Sequence, residues 1–366
     1  MVPRMALELL DWLPLAVGLE LTLACPHRCL TCGSSAGTAS PDELSQPEWL
    51  KVIDTLGTLG TERITLLGGE PLMHPGWQEL AARGIEYGMH MELVTSGFGL
   101  NSTTVRQMAE LPLTSVSVSV DGTEAVHDWL RRSHGSYRRV LAGIRQLDAA
   151  AIPVGVTTQV NTQTLPLLEA LGEELEAAGV LAWQIQLTLP AGRALDTDLA
   201  LKPEQMLTLY ETLRRMHNKR ALSPHLTDSI GWCTSDDVRL RTPKGMPKRA
   251  WIGCQAGIRV LGVTSSGRVK GCLSLPNRAD DANLRQQPLD AIWHDPLRFP
   301  YNRRFDPASL SGVCAACSYA TLCRGGCTAA SLAWSGKPNA SRHCLRVLAG
   351  TEHPQPVAAS AAQGVP

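Results

Sequence analysis

The chain has 366 residues, 44% of them hydrophobic, with 34 Lys and Arg balancing 34 Asp and Glu. That length and apolar content suffice for a large core and two or three domains. Zero formal charge argues against a general nucleic-acid or membrane-surface binder.

The N-terminus is apolar, but Glu8, Asp11 and Glu20 interrupt it. It has no basic leading segment and no unbroken apolar run, so neither a signal peptide nor a membrane span is expected. The expected location is the cytoplasm. Eleven cysteines are many for such a chain. In a reducing compartment these spacings point to metal or catalysis before disulfides. Ten of them fall into two groups, Cys25 to Cys32 and Cys254 to Cys344, and Cys233 stands apart.

From about 15 to 220 the pattern alternates strand and helix. Apolar, β-rich runs fall near 17–24, 62–67, 90–95, 114–120, 152–160 and 182–189. Helical periodicity falls near 43–59, 75–87, 101–110, 136–150, 165–178 and 203–219. Ser40 or Asp42 is the expected cap of the first helix, and Asn101 or Ser102 that of the third. Six strand–helix repeats predict an α/β fold with a parallel sheet, open or curled into a partial barrel.

In such folds the active site lies at the carboxyl ends of the strands. The chain places its informative residues there. Strand 1 leads into Leu21–Gly33, LTLACPHRCLTCG, with Cys25, Cys29 and Cys32. Three thiolates hold three corners of a cubic iron–sulfur cluster and leave the fourth iron open to a small molecule. A zinc knuckle is the alternative, but structural zinc wants four closed ligands, and His27 within the loop is the nearest fourth. Gly68-Gly69-Glu70-Pro71 follows strand 2, and Thr95-Ser96-Gly97 follows strand 3. Ser119 and Asp121 end strand 4, Gln159 and Asn161 end strand 5, and Pro190 to Ala194, PAGRA, follows strand 6.

Residues 220–250 are rich in loop formers and form the expected domain join. They carry Arg239, Arg241, Lys244, Lys248 and Arg249, a basic stretch that could meet an acidic leader or simply be solvated. Then comes Cys254, twelve residues, Gly267, four residues and Cys272. Ile258 to Leu273 reads as a hairpin around Ser265-Ser266-Gly267. Cys314, Cys317, Cys323, Cys327 and Cys344 follow. Spacing alone would also allow these seven thiols to hold two zinc ions. Beyond Gly350 the composition predicts a disordered tail.

The cysteine triad followed by GGEP resembles the radical S-adenosylmethionine (SAM) superfamily, over about residues 15 to 347. The resemblance implies a partial (β/α)6 barrel in residues 1–220, whose [4Fe–4S] cluster binds SAM through the open iron. It implies that Gly68, Gly69 and Glu70 hold the methionine amino group, that Ser119 lies near the ribose, and that Arg131 meets the methionine carboxylate. Ser96, Asp121 and Asn161 complete the expected SAM-binding set. Two positions depart from the pattern. Thr31 stands where an aromatic residue usually lies against the adenine, and Arg132 stands where a glycine usually follows the arginine.

The second cysteine group resembles a SPASM domain, here 251–347, joined through 221–250 and followed by the tail 348–366. It implies two auxiliary [4Fe–4S] clusters, one held by Cys314, Cys317, Cys323 and Cys344, the other by Cys254, Cys272 and Cys327. Cys233 is the candidate fourth ligand of the latter, its rival being an open site for substrate. The implied activity is reductive cleavage of SAM, fed by a flavodoxin or ferredoxin, to a 5′-deoxyadenosyl radical that takes a hydrogen atom from substrate.

The leading expectation is oxidative modification of a ribosomally made peptide or protein, through a carbon–carbon or thioether cross-link. The 24 residues before Cys25 are too few for a winged-helix leader-binding domain, so a peptide substrate is expected to be recognised by a separate leader-binding protein, by the barrel itself or by the bridging segment 220–250. The alternatives are a small-molecule dehydrogenase or epimerase, a sulfatase-type maturase, and a non-catalytic iron–sulfur scaffold. Leu273 follows Cys272 where the sulfatase-type pattern has an aspartate, which counts against the second of these.

Overall fold

The structure, a computed structural model, describes residues 12–227, 229–230, 235–278 and 281–348. Cys233 and the tail from 349 onward lie outside the described residues. The first half alternates as its periodicity predicts: β1 (Ala16–Glu20), α1 (Gln46–Thr58), β2 (Arg63–Leu67), α2 (Trp77–Glu86), β3 (His90–Thr95), α3 (Ser102–Ala109) and β4 (Ser115–Ser119). Two helices follow, α4 (Glu124–Arg131) and α5 (Ser136–Ala149), then β5 (Val154–Val160), α6 (Leu168–Ala177), β6 (Ala182–Leu187) and α7 (Gln205–Lys219).

Along the strands, alternate residues such as Val17, Leu19, Ile64, Leu66, Val116 and Val118 are buried. They join a single core with Ile53 and Leu56 of α1, Leu80 of α2 and Ile144 of α5. Two-residue strand periodicity set against 3.6-residue helix periodicity produces this layering. Asn101 caps α3 as expected, accepting from Thr103 N at 3.0 Å and Thr104 N at 3.1 Å. The cap of α1 is Ser45 instead of Ser40 or Asp42, with Glu48 accepting from Ser45 N at 2.7 Å. Glu43 accepts from Ser40 N at 3.1 Å as well as from Leu23 N at 2.6 Å, but the helix begins only where Pro47 stands in its first turn, a position that suits proline.

The expected loop-rich join contains β7 (Pro224–Leu226), parallel to β6, and α8 (Asp237–Arg241). Such short elements show no period in a sequence. Beyond them lie β8 (Val260–Val263), β9 (Arg268–Lys270) and β10 (Ala282–Asn283), then short helices α9 (Leu289–His294), α10 (Pro300–Arg303), α11 (Ala320–Cys323), α12 (Thr328–Ser335) and α13 (Leu345–Leu348). The hairpin β8–β9 is present as predicted. Its placement is new information: β8 pairs in parallel with β1, giving one sheet in the order β10-β9-β8-β1-β2-β3-β4-β5-β6-β7. The fold is therefore a partial (β/α)6 barrel followed by a cysteine-rich region of hairpin and short helices. Among the described residues no helix is long and apolar enough to cross a membrane.

Candidate active site

The cysteine loop leaves β1 under tight control. Glu43 accepts from Leu23 N, and from Thr22 Oγ1 at 2.9 Å. Cys25 N donates to Gly37 O at 2.9 Å and Gly37 N to Leu23 O at 2.7 Å, closing the loop on itself. Inside it Arg28 Nη1 donates to Cys25 O at 2.9 Å. Cys25 and Cys29 are buried and Cys32 is half-buried. The three thiols lie within electrostatic reach of one another. Burial, reinforced by its two neighbours, pushes Cys25 up to about 11. Burial likewise raises Cys29, opposed by the guanidinium of Arg131, whose Nη1 lies 3.9 Å from the Cys29 sulfur.

The GGEP turn is pressed onto this loop. Gly69 N donates to Thr22 O at 2.6 Å and Glu70 N to Ala24 O at 2.8 Å. A Cβ on Gly68 would stand 2.6 Å from Thr22 O, and one on Gly69 would stand 2.4 Å from Ala24 O. Only glycine allows that approach. Glu70 is fully buried, and its carboxylate accepts from Thr95 Oγ1 at 2.7 Å, Ser96 N at 2.9 Å, Ser96 Oγ and Leu72 N at 3.2 Å. Burial still raises its pKa against those donors. Its side chain, with Ser96, knits the loops after β2 and β3 together.

On the next strands the expected residues divide. Ser119, at the end of β4, is half-buried on the face turned away from the helices. Asp121 is buried, accepting from Arg131 Nη2 at 2.6 Å and from Gln159 N at 2.8 Å. Arg131 is buried too, so its charge is already matched, and its Nε is left without a partner. Asn161 is buried and turned to local work, its Oδ1 accepting from Gln163 N and Thr164 N at 2.9 and 3.1 Å. Arg132 ends α4 in the left-handed region, φ 50° and ψ 44°. The chain needs at this C-cap the conformation a glycine gives without strain.

Several residues named from the sequence have contacts that the sequence did not show. Arg193 donates from its backbone to Cys32 O at 3.0 Å, from Nε to Cys29 O at 2.8 Å and from Nη1 to Ala36 O at 2.8 Å. Gly192 lies so close that a Cβ would meet Gly33 O at 2.3 Å. The loop after β6 thus closes over the cysteine loop. Buried His27 faces Phe98 edge-on at 6.2 Å and is pushed down to about 4, mainly by burial. PAGRA at a strand end signalled a turn, and nothing in it identified its partner.

The C-terminal thiols gather in two sets. Cys254, Cys272 and Cys327 lie within electrostatic reach of one another, and burial raises both Cys272 and Cys327. Cys314, Cys317, Cys323 and Cys344 line one small apolar cavity with Val313, Tyr319 and Ala320. Burial pushes Cys323 up to about 11. Among the described residues no three His, Cys, Asp or Glu side chains converge closely enough to hold a single metal ion. A donor set made only of buried and half-buried thiols, in threes and fours, fits iron–sulfur clusters, whose iron charge stabilises thiolates that burial otherwise disfavours. The basic bridge is not a surface patch throughout. Arg241 is buried, donating to Asp237 Oδ1 at 2.6 Å and to Ile230 O at 2.7 Å.

Residues 19–168 match the family described as Radical SAM superfamily. An AdoMet-dependent heme synthase of Methanosarcina barkeri is 30% identical over 88% of this chain and 93% of its own length. The chain belongs to the radical SAM superfamily. This radical SAM enzyme is also 31% identical to the sporulation killing factor maturation protein SkfB of Bacillus subtilis, over 52% of this chain and 47% of SkfB. In fold it is similar to SuiB of Streptococcus suis, solved with S-adenosylmethionine, at TM-score 0.69 and 14% identity over 90% of this chain and 76% of SuiB. The family implies a [4Fe–4S] cluster and SAM, and the loop of Cys25, Cys29 and Cys32 is the thiol set that fits the cluster.

Proposed function

We propose that this radical SAM enzyme oxidatively modifies a ribosomally made peptide or protein, with two auxiliary clusters in its cysteine-rich region. Cys25, Cys29 and Cys32 hold the catalytic cluster, and the Gly68-Gly69 turn, pressed to that loop, presents its backbone to the methionine amino group. Ser119 stands on the inner face toward the nucleoside. Arg131, committed to Asp121, steadies the Cys29 side of the loop, while Arg193 fixes its carbonyls. When bound, the cluster supplies the electron that breaks a carbon–sulfur bond of SAM, and the resulting 5′-deoxyadenosyl radical takes a hydrogen atom from the substrate. An external one-electron donor such as a flavodoxin or ferredoxin is required.

The observation that carries the peptide reading is the inner face of the barrel. Ser115, Ser117, Ser119, Thr157, Gln184 and Gln186 alternate there with residues buried under the helices. Ser117 Oγ and Thr157 Oγ1 bond each other at 3.0 Å. Among the described residues on this face of β1 to β6, Arg63 is the one arginine or lysine, and it pairs with Glu92 at 3.2 Å. A neutral field of donors and acceptors suits peptide amides better than a substrate bearing several carboxylates. The maturation protein SkfB supports the same class of substrate.

A second reading, oxidation of a tetrapyrrole side chain, is favoured by the likeness to the heme synthase along nearly the whole chain. The discriminating experiment uses the full chain reconstituted without oxygen, with SAM and dithionite. It compares a small peptide encoded beside this gene with an iron porphyrin bearing carboxylate side chains. A peptide lighter by one hydrogen pair, with matching 5′-deoxyadenosine, is the expected result. A porphyrin converted in step with 5′-deoxyadenosine, the peptide unchanged, overturns it.

A further inference from the structure

Trp251 sits where the bridge enters the cysteine-rich region. It is buried, and its indole Nε1–H donates to the sulfur of Cys323 at 3.2 Å. Trp251 is held at two other points. Its backbone N donates to Asp237 Oδ2 at 3.1 Å, and the Arg241 guanidinium lies 5.1 Å from its ring centroid. Arg241 in turn bonds the other oxygen of Asp237 and donates from Nη1 to Thr227 O at 3.0 Å. A cation over the ring draws electron density from the indole and makes its N–H a stronger donor. Cys254 and Cys323, one from each C-terminal thiol set, share an apolar cluster with Trp251.

A hydrogen bond to a cluster-ligating sulfur stabilises the reduced, more negative state and raises the reduction potential. We infer that Trp251, through its N–H to the Cys323 sulfur, tunes the cluster held by Cys314, Cys317, Cys323 and Cys344, making it the better electron acceptor of the two auxiliary sites. This rests on the auxiliary-cluster reading above. Trp251 is a positioning residue in this scheme, since it acts through Cys323 and touches no substrate. A phenyl ring at this position keeps an aromatic side chain in the apolar cluster and lacks the donor.

The test is made on the full chain, reconstituted without oxygen, as parent and as Trp251→Phe. Iron is counted, auxiliary-cluster midpoint potentials are titrated by EPR, and 15N-tryptophan-labelled protein is studied by pulsed EPR in the reduced state. The expected result is about twelve irons per chain in both proteins, one auxiliary potential moved to a more negative value, and one 15N coupling lost from the variant. The coupling in the labelled parent is read without any substitution, so a poorly folded variant does not spoil the test. About twelve irons with no 15N coupling in the parent overturns the proposal alone. About four irons per chain overturns the auxiliary-cluster reading, and the proposal with it.

Discussion

Cys25, Cys29 and Cys32 come from one short loop, whereas Cys254, Cys272, Cys314, Cys317, Cys323, Cys327 and Cys344 span some ninety residues. The loop is fixed from outside. Glu43, the Gly69-Glu70 turn, Arg131 and Arg193 reach it from four different segments, and the parallel sheet brings those segments to one rim. The C-terminal thiols stand in a region of short helices and a hairpin, where regular structure offers little support. The difference is one of dependence. The first set relies on a preformed scaffold, and the second, on the proposed reading, would rely on its clusters for much of its order.

The largest test of this contrast changes Cys25, Cys29 and Cys32 together to alanine. Iron is expected to fall from about twelve to about eight per chain, with all release of 5′-deoxyadenosine lost and the thermal transition little moved. Chelating the iron from the parent is expected to abolish the cooperative transition of the C-terminal region while far-UV circular dichroism keeps the barrel's helices. Zinc in place of iron, or intact cleavage in the triple variant, would break the comparison outright.

Asp121→Asn is the next strongest. It leaves the Arg131 charge buried and unmatched, and is expected to cost about 3–5 kcal/mol in urea unfolding. Gly69→Ala follows: its Cβ would meet Ala24 O at 2.4 Å. The displaced loop is expected to slow SAM cleavage about 10²-fold, with iron content preserved, as single-turnover assays would read. The smallest effect sharpens the picture. Arg132→Gly relieves the left-handed C-cap of α4 and is expected to stabilise the protein by about 1 kcal/mol, seen as a higher Tm without change in cleavage.

The sequence made the triad and the strand–helix alternation legible because both are local. Cysteine spacing within a loop and apolar periods of two or 3.6 need no knowledge of the rest of the chain. It also marked Gly68 and Gly69, whose neighbours turn out to be the carbonyls of Thr22 and Ala24. What it hid is pairing at a distance. Asp121 and Arg131 were both singled out, yet the structure has each satisfy the other. Asn161 looked like a polar strand end and serves its own turn. Arg193 and Glu43 carry no motif, because their partners are main-chain oxygens and nitrogens of another segment. Arg241 looked like one charge of a solvated run, and only α8 packing on β7 shows it buried.

The parallel pairing of β8 with β1 has a consequence for the life of the chain before its cofactors arrive. In a barrel that does not close, β1 would be an exposed edge, offering unpaired peptide groups to any passing strand. That edge is also the strand that delivers the cysteine loop. A nascent chain stopped short of β8 would present it bare, and sheet-to-sheet association would compete with metal loading. Residues 260–263 act in this sense as a built-in guard. The first half of the protein is sheltered from aggregation only once the second half has been made.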